Sequence, residues 1–406
     1  MNRKKFQISK QKMKYELFRA LTEQGYVIRG STIIPPNVQN KNDIRKLHTG
    51  QKKTRLQSDL SFFEKYGLNF INTYFASGNE IDPSKFDPEL IPVQADHWTG
   101  NLFRLATMIW SVPVSKGYGR RIRFLVMDRS NKKLVGIIGL GDPVFNLKVR
   151  DEHIGWNSND RKERLFNVMD AYVLGAVPPY NVLLAGKFLA GIISTNEIRE
   201  FFSSKYKETK TIIQKKVKPA DLVLVTTTSA LGRSSVYNRV FYDSKNGRLN
   251  LLQSIGFTSG YGHFHVPEDV FTLMRAFLSE RNDRYADGHQ YGNGPNWRMR
   301  VIRKVMQLLG YSKTPVLKHG IQREVFISPL ATNYKEYLCG RTDKPEFIDL
   351  PLEHYTEYFK NRFMLPRFER RKSEVLKHKA QDVYNEIYNF LFEKEELESV
   401  VSKTVE

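Results

Sequence analysis

A short stretch of the sequence holds three carboxylates and a histidine, Asp142, Asp151, Glu152 and His153, and residues of these types can exchange protons with a substrate. Asp151 and His153 are two positions apart, and Asp142 precedes Asp151 by nine residues. A carboxylate beside an imidazole tunes its basicity, which is one way to build a general base. In the structural interpretation, Asp142 ends a strand in a Gly-Asp-Pro turn and Asp151 pairs with Arg150 at the surface. Asp142, Asp151 and His153 are therefore candidate catalytic residues with this alternative open.

A His-x-His pair is the only pattern in the sequence that suggests a metal ligand. His263 and His265 would point to the same face of a strand. With a further carboxylate they could bind a metal ion, although a single pair of this kind is more often structural or exposed. No Cys/His spacing resembles a zinc site. We therefore expect no metal site and no bound cofactor.

A glycine-rich loop leads into a basic helix that would suit an anion. Gly292 and Gly294 allow close backbone approach, Pro295 fits the first helical turn, and helix N-termini attract negative charge. The helix predicted over 296–309 has an apolar face, so its basic side chains project elsewhere. An ordinary amphipathic helix with a solvated basic face is the other interpretation. The candidate phosphate- or nucleic-acid-binding residues are Arg298, Arg300, Arg303 and Lys304.

Positive charge is concentrated at the start of the chain. Residues 1–57 hold 14 Lys and Arg against 3 Asp and Glu, which is about half of the formal net charge of +21. A protein this basic attracts polyanions over long range, and nucleic acid is the commonest such partner. We therefore predict DNA or RNA as a partner. The candidate contact residues in this region are Lys52, Lys53 and Arg55.

Length and composition exclude several classes of protein. The 406 residues suffice for two or three domains, and 40% hydrophobic with 26% charged residues is typical of a globular chain. The single cysteine, Cys339, excludes an internal disulfide. No apolar run is long enough for a membrane span, and the basic start lacks the apolar stretch of a signal peptide. We expect a cytoplasmic protein without a membrane partner.

The elements that must position these residues alternate between strands and helices in the middle of the chain. Residues 121–127 and 134–140 are predicted as a hairpin, 172–177 and 221–228 as apolar strands, and 181–193 as a helix between those strands. A long helix is predicted over 44–75, bent near Gly67, and another over 268–281. The fold class is α/β with a central mixed sheet. The predicted regions are a basic helical region (1–95), an α/β core (96–270), a helical region with the glycine-rich loop (271–350) and a helical tail (351–406).

The order of these core elements resembles the GNAT acyltransferase topology. The phrases SSVYNRV and LLQSIGF are similar to the late part of that fold. The resemblance implies that strands before and after the central helix splay apart to admit acyl-CoA, and that Tyr237 stands where these enzymes keep a tyrosine acid. A core tyrosine is the other interpretation of Tyr237. The segment PPYNVLLAGKFLAG lacks the family's pyrophosphate-binding pattern, so we expect no acyl-CoA binding and leave catalytic activity open.

A second resemblance covers several longer segments, between residues 96 and 340. The segments are GLGDPVFNLKVRDEHIGW, GYGHFH, YGNGPNWRMRVIRKVMQLLG and HGIQREVFISPLATN. In this order they resemble the DruA family of the Druantia anti-phage defence system. The resemblance implies a role in antiviral defence beside other system proteins, including a large helicase-like one. It does not indicate which residues would be catalytic.

Three hypotheses for function remain open at this point. The first is a Druantia defence component that engages nucleic acid through basic surfaces. The second is an acyltransferase-like enzyme that modifies a nucleobase or a nucleotide-like substrate, with Asp142, Asp151, His153 or Tyr237 near the chemistry. The third is a non-catalytic scaffold that recruits other system proteins.

Overall fold

The computed structural model describes residues 8–30, 32–114, 119–210, 215–245, 247–263, 265–288, 295–311 and 315–403, without the side chains of 295, 296, 315 and 393–403. By contact density the chain divides into two units, each built from two stretches of sequence. Unit 1 comprises residues 1–51 and 258–323, and unit 2 comprises residues 52–257 and 324–406.

Helices surround the sheets of the structure. They are α1 (Lys10–Thr22), α2 (Lys41–Ser58), α3 (Leu60–Tyr74), α4 (Trp98–Ala106), α5 (Lys148–Ile154), α6 (Ser158–Arg164), α7 (Ala185–Ile192), α8 (Asn196–Tyr206), α9 (Glu268–Ser279), α10 (Pro295–Leu308), α11 (Tyr334–Leu338), α12 (Leu352–Phe359), α13 (Leu365–Lys377) and α14 (Ala380–Lys403). A π-helical turn, Lys360–Met364, joins α12 to α13.

Seven strands form the main sheet, in the order β10-β11-β7-β6-β5-β4-β3. The pair β6–β7 is parallel and the other neighbours are antiparallel. Two hairpins, β1–β2 and β8–β9, form separate sheets. The strands are β1 (Val27–Arg29), β2 (Thr32–Ile34), β3 (Pro88–Pro92), β4 (Arg121–Asp128), β5 (Lys133–Gly141), β6 (Val168–Ala176), β7 (Leu224–Thr228), β8 (Phe241–Ser244), β9 (Gly247–Asn250), β10 (Gln253–Phe257) and β11 (Glu324–Pro329). The predicted mixed central sheet with flanking helices is confirmed.

Unit 1 is a small helical unit with its own core. Ser9 caps α1, its side chain accepting from the Lys12 backbone N–H at 3.0 Å. Met13, Leu17 and Leu21 recur at helical spacing on α1 and are fully buried. They pack in one cluster with apolar side chains of α9, α10 and the β1–β2 hairpin. Helix α1 is therefore an integral part of this core.

Unit 2 packs helices on both faces of the main sheet. One face is covered by α7, α8 and α12, in a cluster that includes Phe188, Phe202 and Tyr355. The opposite face carries two clusters. The first lies against α3, α4 and α14, and the second lies against α5 and α11. The parallel pair β6–β7 needs a crossover connection, which α7 and α8 provide.

Several predicted elements differ from the structure. The long helix breaks at Asp59, which separates α2 from α3. Gly67 lies inside α3, and a side chain there would clash with the Phe63 ring, 2.7 Å from the position of a Cβ. Strands β1, β2 and β3 lie in the region predicted as helical over 1–95, and β11 lies in the helical region predicted over 271–350. Strand β3 is hard to predict from the sequence because it begins and ends with proline. Proline is tolerated there because β3 is an edge strand.

Candidate functional site

Unit 1 carries most of the excess positive charge. Its 117 residues contain 21 Lys and Arg against 8 Asp and Glu, an excess of 13 out of the whole chain's 21. The 289 residues of unit 2 carry the remaining excess of 8. The field that would attract a polyanion is therefore centred on unit 1.

Arg298 on α10 is held within the unit. Its Nη1 lies 2.6 Å from Glu268 Oε2, and its Nη2 donates to the Val266 carbonyl at 2.7 Å. The guanidinium carbon lies 4.0 Å from the centre of the Phe271 ring. Because α9 begins at Glu268, these contacts fasten α10 to the start of α9 and give Arg298 a structural role.

The other candidate cations of α10 face outward. Arg303 is exposed and donates to the Tyr261 hydroxyl at 3.3 Å. Arg300 is exposed beside the Tyr285 ring. Lys304 is partly exposed, with its Nζ 3.8 Å from Asp283. Arg300 and Arg303 are therefore exposed to solvent, whereas the predicted glycine-rich loop, 288–296, lies largely outside the described residues.

The basic residues of α2 separate into exposed and inward-facing sets. Lys52 is buried, its Nζ donating to the Ile109 carbonyl at 3.4 Å and lying 4.5 Å from the Phe390 ring centre. Burial lowers its pKa. Arg55 is bonded to Asp59 at 2.8 Å, and Lys53 is partly exposed. The exposed cations of α2 lie earlier, at Lys41, Arg45 and Lys46.

Asp142 and Asp151 both anchor arginines. Asp142 follows β5 and accepts from the Arg120 Nε at 2.7 Å and from its backbone N–H at 2.9 Å. Asp151 accepts from Arg150 at 2.6 Å, from Arg161 at 3.0 Å and from the Trp156 indole at 3.0 Å. Arg150 is fully buried, and this burial lowers its pKa. Both carboxylates thus have bonding partners that fix local structure.

His153 and Tyr237 lie in different surroundings. The Nε2 of His153 is 2.8 Å from the Tyr334 hydroxyl, and burial lowers the pKa of this imidazole. The Tyr237 ring packs edge-on against Phe326, with 5.4 Å between centroids, and burial raises its pKa to about 12. No hydrogen bond or ion pair among the described residues joins Asp142, Asp151, His153 and Tyr237 to one another.

Two carboxylates that sequence reasoning missed lie in or beside the main sheet. Glu324 accepts from the Ser234 backbone N–H, the Asn238 side chain and the Ser254 hydroxyl. Burial raises its pKa, but these hydrogen bonds outweigh the burial and the pKa is lowered. Asp170 lies on β6 and accepts from the Thr226 hydroxyl at 2.6 Å. The available signal was a carboxylate inside an apolar strand, in the phrase VMDAYVLG.

The pairing of β6 with β7 is incomplete. It runs from Val168 opposite Leu224 to Ala171 opposite Thr227, and β6 then continues to Ala176 beside β5 alone. Strand β7 ends at Thr228, one residue beyond the last that pairs with β6, so the parallel pairing covers only four residues of each strand. Gly175 lies in the part of β6 that pairs with β5 but not with β7. A Cβ at Gly175 would come within 2.2 Å of the Trp110 ring.

Two comparisons with known proteins each cover most of the chain. Residues 38–340 match the family described as Druantia protein DruA. The Druantia protein DruA of Escherichia coli (strain UMEA 4076-1) is 43% identical over 379 residues, which cover 93% of this chain and 92% of that protein. This chain belongs to the DruA family. The predicted resemblance to DruA is confirmed, and it supports a component of anti-phage defence.

No solved structure matches this DruA-family chain, so its fold rests on the arrangement described above. Among the helices that the structure describes, none is both long enough and apolar enough to cross a membrane. In the same residues no three His, Cys, Asp or Glu side chains are grouped as a metal ion would require. Within the described part of the chain, no group of this kind includes His263 or His265.

Proposed function

We propose that this chain is a component of Druantia antiviral defence that engages nucleic acid through the exposed cations of unit 1. The observation that carries the proposal is the excess of 13 positive charges in the 117 residues of that unit. Phosphates dominate the affinity of such surfaces, and they are bound with little regard to sequence.

The cations that would contact phosphate are exposed to solvent, and none is paired with a carboxylate of the described residues. They lie on α1, on the first half of α2 and on α10. They are Lys10, Lys12, Lys41, Arg45, Lys46 and Arg303. Arg298, Lys52 and Arg55 are engaged within the protein and contribute mainly to its structure.

A triple substitution on α2 tests the proposal. Lys41, Arg45 and Lys46 are changed to Gln, which keeps the helix and removes three charges. The matched control removes three exposed lysines of unit 2, Lys344, Lys377 and Lys379.

We expect the α2 variant to lose at least tenfold in affinity for a 20-base-pair DNA or a 20-nucleotide RNA, and to lose phage protection. The control variant should lose much less. Equal losses in both variants would show that net charge alone acts, and unchanged binding in both would overturn the proposal.

The strand arrangement favours a second candidate, an acyltransferase-like enzyme acting on a nucleobase or nucleotide-like substrate. Its support is the short β6–β7 pairing, which ends at Ala171 and Thr227 while β6 continues to Ala176, since the GNAT resemblance implies strands that splay there. Strand β11 lies between β7 and β10 beside this short pairing. Acyl-CoA use has no such support, because the backbone N–H groups of Leu183 and Leu184, just before α7, donate to carbonyls of the same turn.

Partners within the defence system follow from the family. We propose that the chain assembles with other Druantia proteins, including a helicase-like one. Co-purification of the tagged chain with the other products of its system tests this, and a chain that purifies alone from cells expressing the whole system would contradict it.

A further inference from the structure

One row of polar positions crosses four strands of the main sheet. Arg121 on β4 pairs with Gly141 on β5, Gly141 pairs with Asp170 on β6, and Asp170 pairs with Thr226 on β7. Directly paired residues point to the same face of a sheet. The side chains of Arg121, Asp170 and Thr226 therefore share one face, and glycine leaves no side chain between the first two.

This row lies between the two apolar clusters of that face. Leu125, Ile137 and Val173 belong to the cluster beneath α3, α4 and α14. Val168 and Ile327 belong to the cluster beside α5 and α11. Polar side chains in the middle of a sheet cost free energy unless they are bonded or serve a ligand. The strip between the clusters is therefore a candidate binding surface.

Asp170 is the acidic group of the strip. Its carboxyl accepts one hydrogen bond, from Thr226, and forms no ion pair with the residues that the structure describes. The neighbouring Arg150 directs its donors to Asp151 and to the carbonyls of Val144 and Phe145. Burial raises the pKa of Asp170, against the opposing charge of Arg150, and the residue as a whole is half-buried. It keeps acceptor capacity for a ligand.

Arg121, Arg123 and Tyr172 form the other side of the strip. Burial raises the pKa of Tyr172, while the charges of Arg123 and Arg121 lower it, so both guanidinium groups act on this phenol. The Tyr172 ring lies across β5 at Gly139, where a Cβ would come within 2.6 Å of a ring carbon. Arg121 is exposed, and Arg123 is partly exposed, 5.4 Å from the Phe103 ring centre.

We propose that this strip binds a nucleoside 5′-monophosphate. Arg121 and Arg123 hold the phosphate, the Tyr172 ring contacts the sugar or the base, and Asp170 accepts from a ribose hydroxyl or an exocyclic amine. The strands that carry the arginines and Asp170 are two spacings apart, about 9–10 Å. A nucleotide spans this distance between its phosphate and its hydrogen-bond donors, whereas an α-amino acid is too short.

The test uses the full chain and four free nucleotides, AMP, CMP, GMP and UMP. We expect at least one to raise the melting temperature in proportion to its concentration, because a ligand of the folded state stabilises it. Adenosine and inorganic phosphate, added separately, should bind at least tenfold more weakly than the nucleotide. No stabilisation by any nucleotide at millimolar concentration would overturn the proposal.

Two substitutions connect nucleotide binding to the strip. Arg123→Gln and Asp170→Asn should each weaken binding at least tenfold by calorimetry, and Asn retains an acceptor for Thr226. Arg129→Gln is the matched control, an exposed arginine just beyond the other end of β4. Equal losses in all three variants, or none in the first two, would overturn the proposal.

A final measurement distinguishes nucleotide binding at the strip from binding at the proposed nucleic-acid surface of unit 1. The α2 triple variant should keep its nucleotide affinity, because its substitutions lie in unit 1. A 5′-phosphorylated dinucleotide distinguishes a strand end from a free nucleotide as the source of the phosphate. Loss of mononucleotide binding in the α2 variant would assign the binding to unit 1 and overturn the proposal for the strip.

Discussion

The Asp151 carboxylate accepts hydrogen bonds from two arginines and an indole. Its substitution should therefore lower mainly the free energy of unfolding. The Asp151→Ala variant leaves the fully buried Arg150 without its counter-charge. Breaking one side of a buried pair costs about 3–5 kcal/mol. Urea unfolding of the variant should show a loss of that order.

The matched control for this substitution is the next residue along α5. Glu152 is exposed and forms a 3.6 Å ion pair with Lys148 at the surface. Glu152→Ala should change the free energy of unfolding by about 0.5 kcal/mol or less. If Asp151→Ala were as stable as the control and abolished phage protection, Asp151 would be a functional rather than a structural carboxylate.

Arg298 and Arg303 were candidates for the same role, and the structure separates them. Arg298→Ala loses the ion pair with Glu268, the bond to the Val266 carbonyl and the contact with Phe271. We expect it to destabilise the chain by about 1–3 kcal/mol. Arg303→Ala should cost about 0.5 kcal/mol or less and weaken nucleic-acid binding.

Unfolding and binding measured on the two single variants check this separation. Their stabilities should differ, and the loss of affinity at unchanged stability should belong to Arg303. An Arg298→Ala chain that is fully stable but does not bind would return Arg298 to the set of contact residues.

The first turn of helix α7 is where the pyrophosphate of acyl-CoA would bind in a GNAT-like fold. A pyrophosphate would need free backbone N–H groups there. The Ala185 N–H donates to the Tyr180 carbonyl at 3.1 Å, and the Lys187 N–H donates to the Leu184 carbonyl at 2.8 Å. Ala185, Lys187 and Phe188 are also buried. These donors are therefore occupied within the chain.

We predict that acetyl-CoA does not raise the melting temperature of the full chain. A ligand present at a hundred times its Kd would stabilise the folded state by about 2.7 kcal/mol, which a thermal shift detects readily. Coenzyme A without the acetyl group is the control for nonspecific stabilisation. A concentration-dependent rise with acetyl-CoA alone would favour a working acyltransferase.

The segments of unit 1 bring together four histidines whose pKa values are lowered, mainly by burial. The pKa is about 4 for His48, His263 and His265 and about 3 for His319. In the unfolded chain each returns to about 6.5. Below about pH 6.5 the unfolded chain therefore binds more protons, so stability falls as the pH falls toward 4.

Urea midpoints at pH 7.5 and pH 5.0 test this dependence. The midpoint should be lower at pH 5.0, and His319→Gln should narrow the difference. The exposed His354 provides the control substitution, which should leave the difference unchanged. A difference unaffected by His319→Gln would assign the pH dependence to other groups.

The elements with a clear apolar period could be predicted from the sequence. Helix α9 begins at the predicted Glu268, and the β4–β5 hairpin lies within a residue of its predicted position. β11 was missed because its partners β7 and β10 are distant in sequence, and local patterns carry no information on that pairing. The break at Asp59 depends on Arg55 and Arg104, which bond its carboxyl, and Arg104 lies on another helix.

The candidate site was less predictable, because residue types do not give distances. The pair Asp151 and Arg150 was foreseen as a structural alternative, although at the surface rather than buried. His153 and Tyr237 have other neighbours, Tyr334 and Phe326. The row that contains Asp170 depends on the register of four strands, which only the assembled sheet reveals.

The excess positive charge of the molecule is distributed unequally between its two units. Unit 1 holds less than a third of the residues and more than half of the excess charge. Removing residues 1–57 would delete α1 and its buried Met13, Leu17 and Leu21, so a truncation would test folding as much as binding. Point substitutions of exposed cations are therefore the cleaner probe of nucleic-acid binding by unit 1.

The salt dependence of nucleic-acid binding is the decisive measurement of whether the cations of unit 1 contact phosphates. The affinity of the intact chain for a 20-base-pair DNA would be measured by fluorescence anisotropy across a series of salt concentrations. The logarithm of affinity should fall linearly with the logarithm of salt, by about 0.9 for each phosphate contacted. For the Lys41, Arg45 and Lys46 variant the slope should be shallower by about 2–3. A slope near zero in the intact chain, or the same steep slope in this variant, would contradict the proposed role of unit 1.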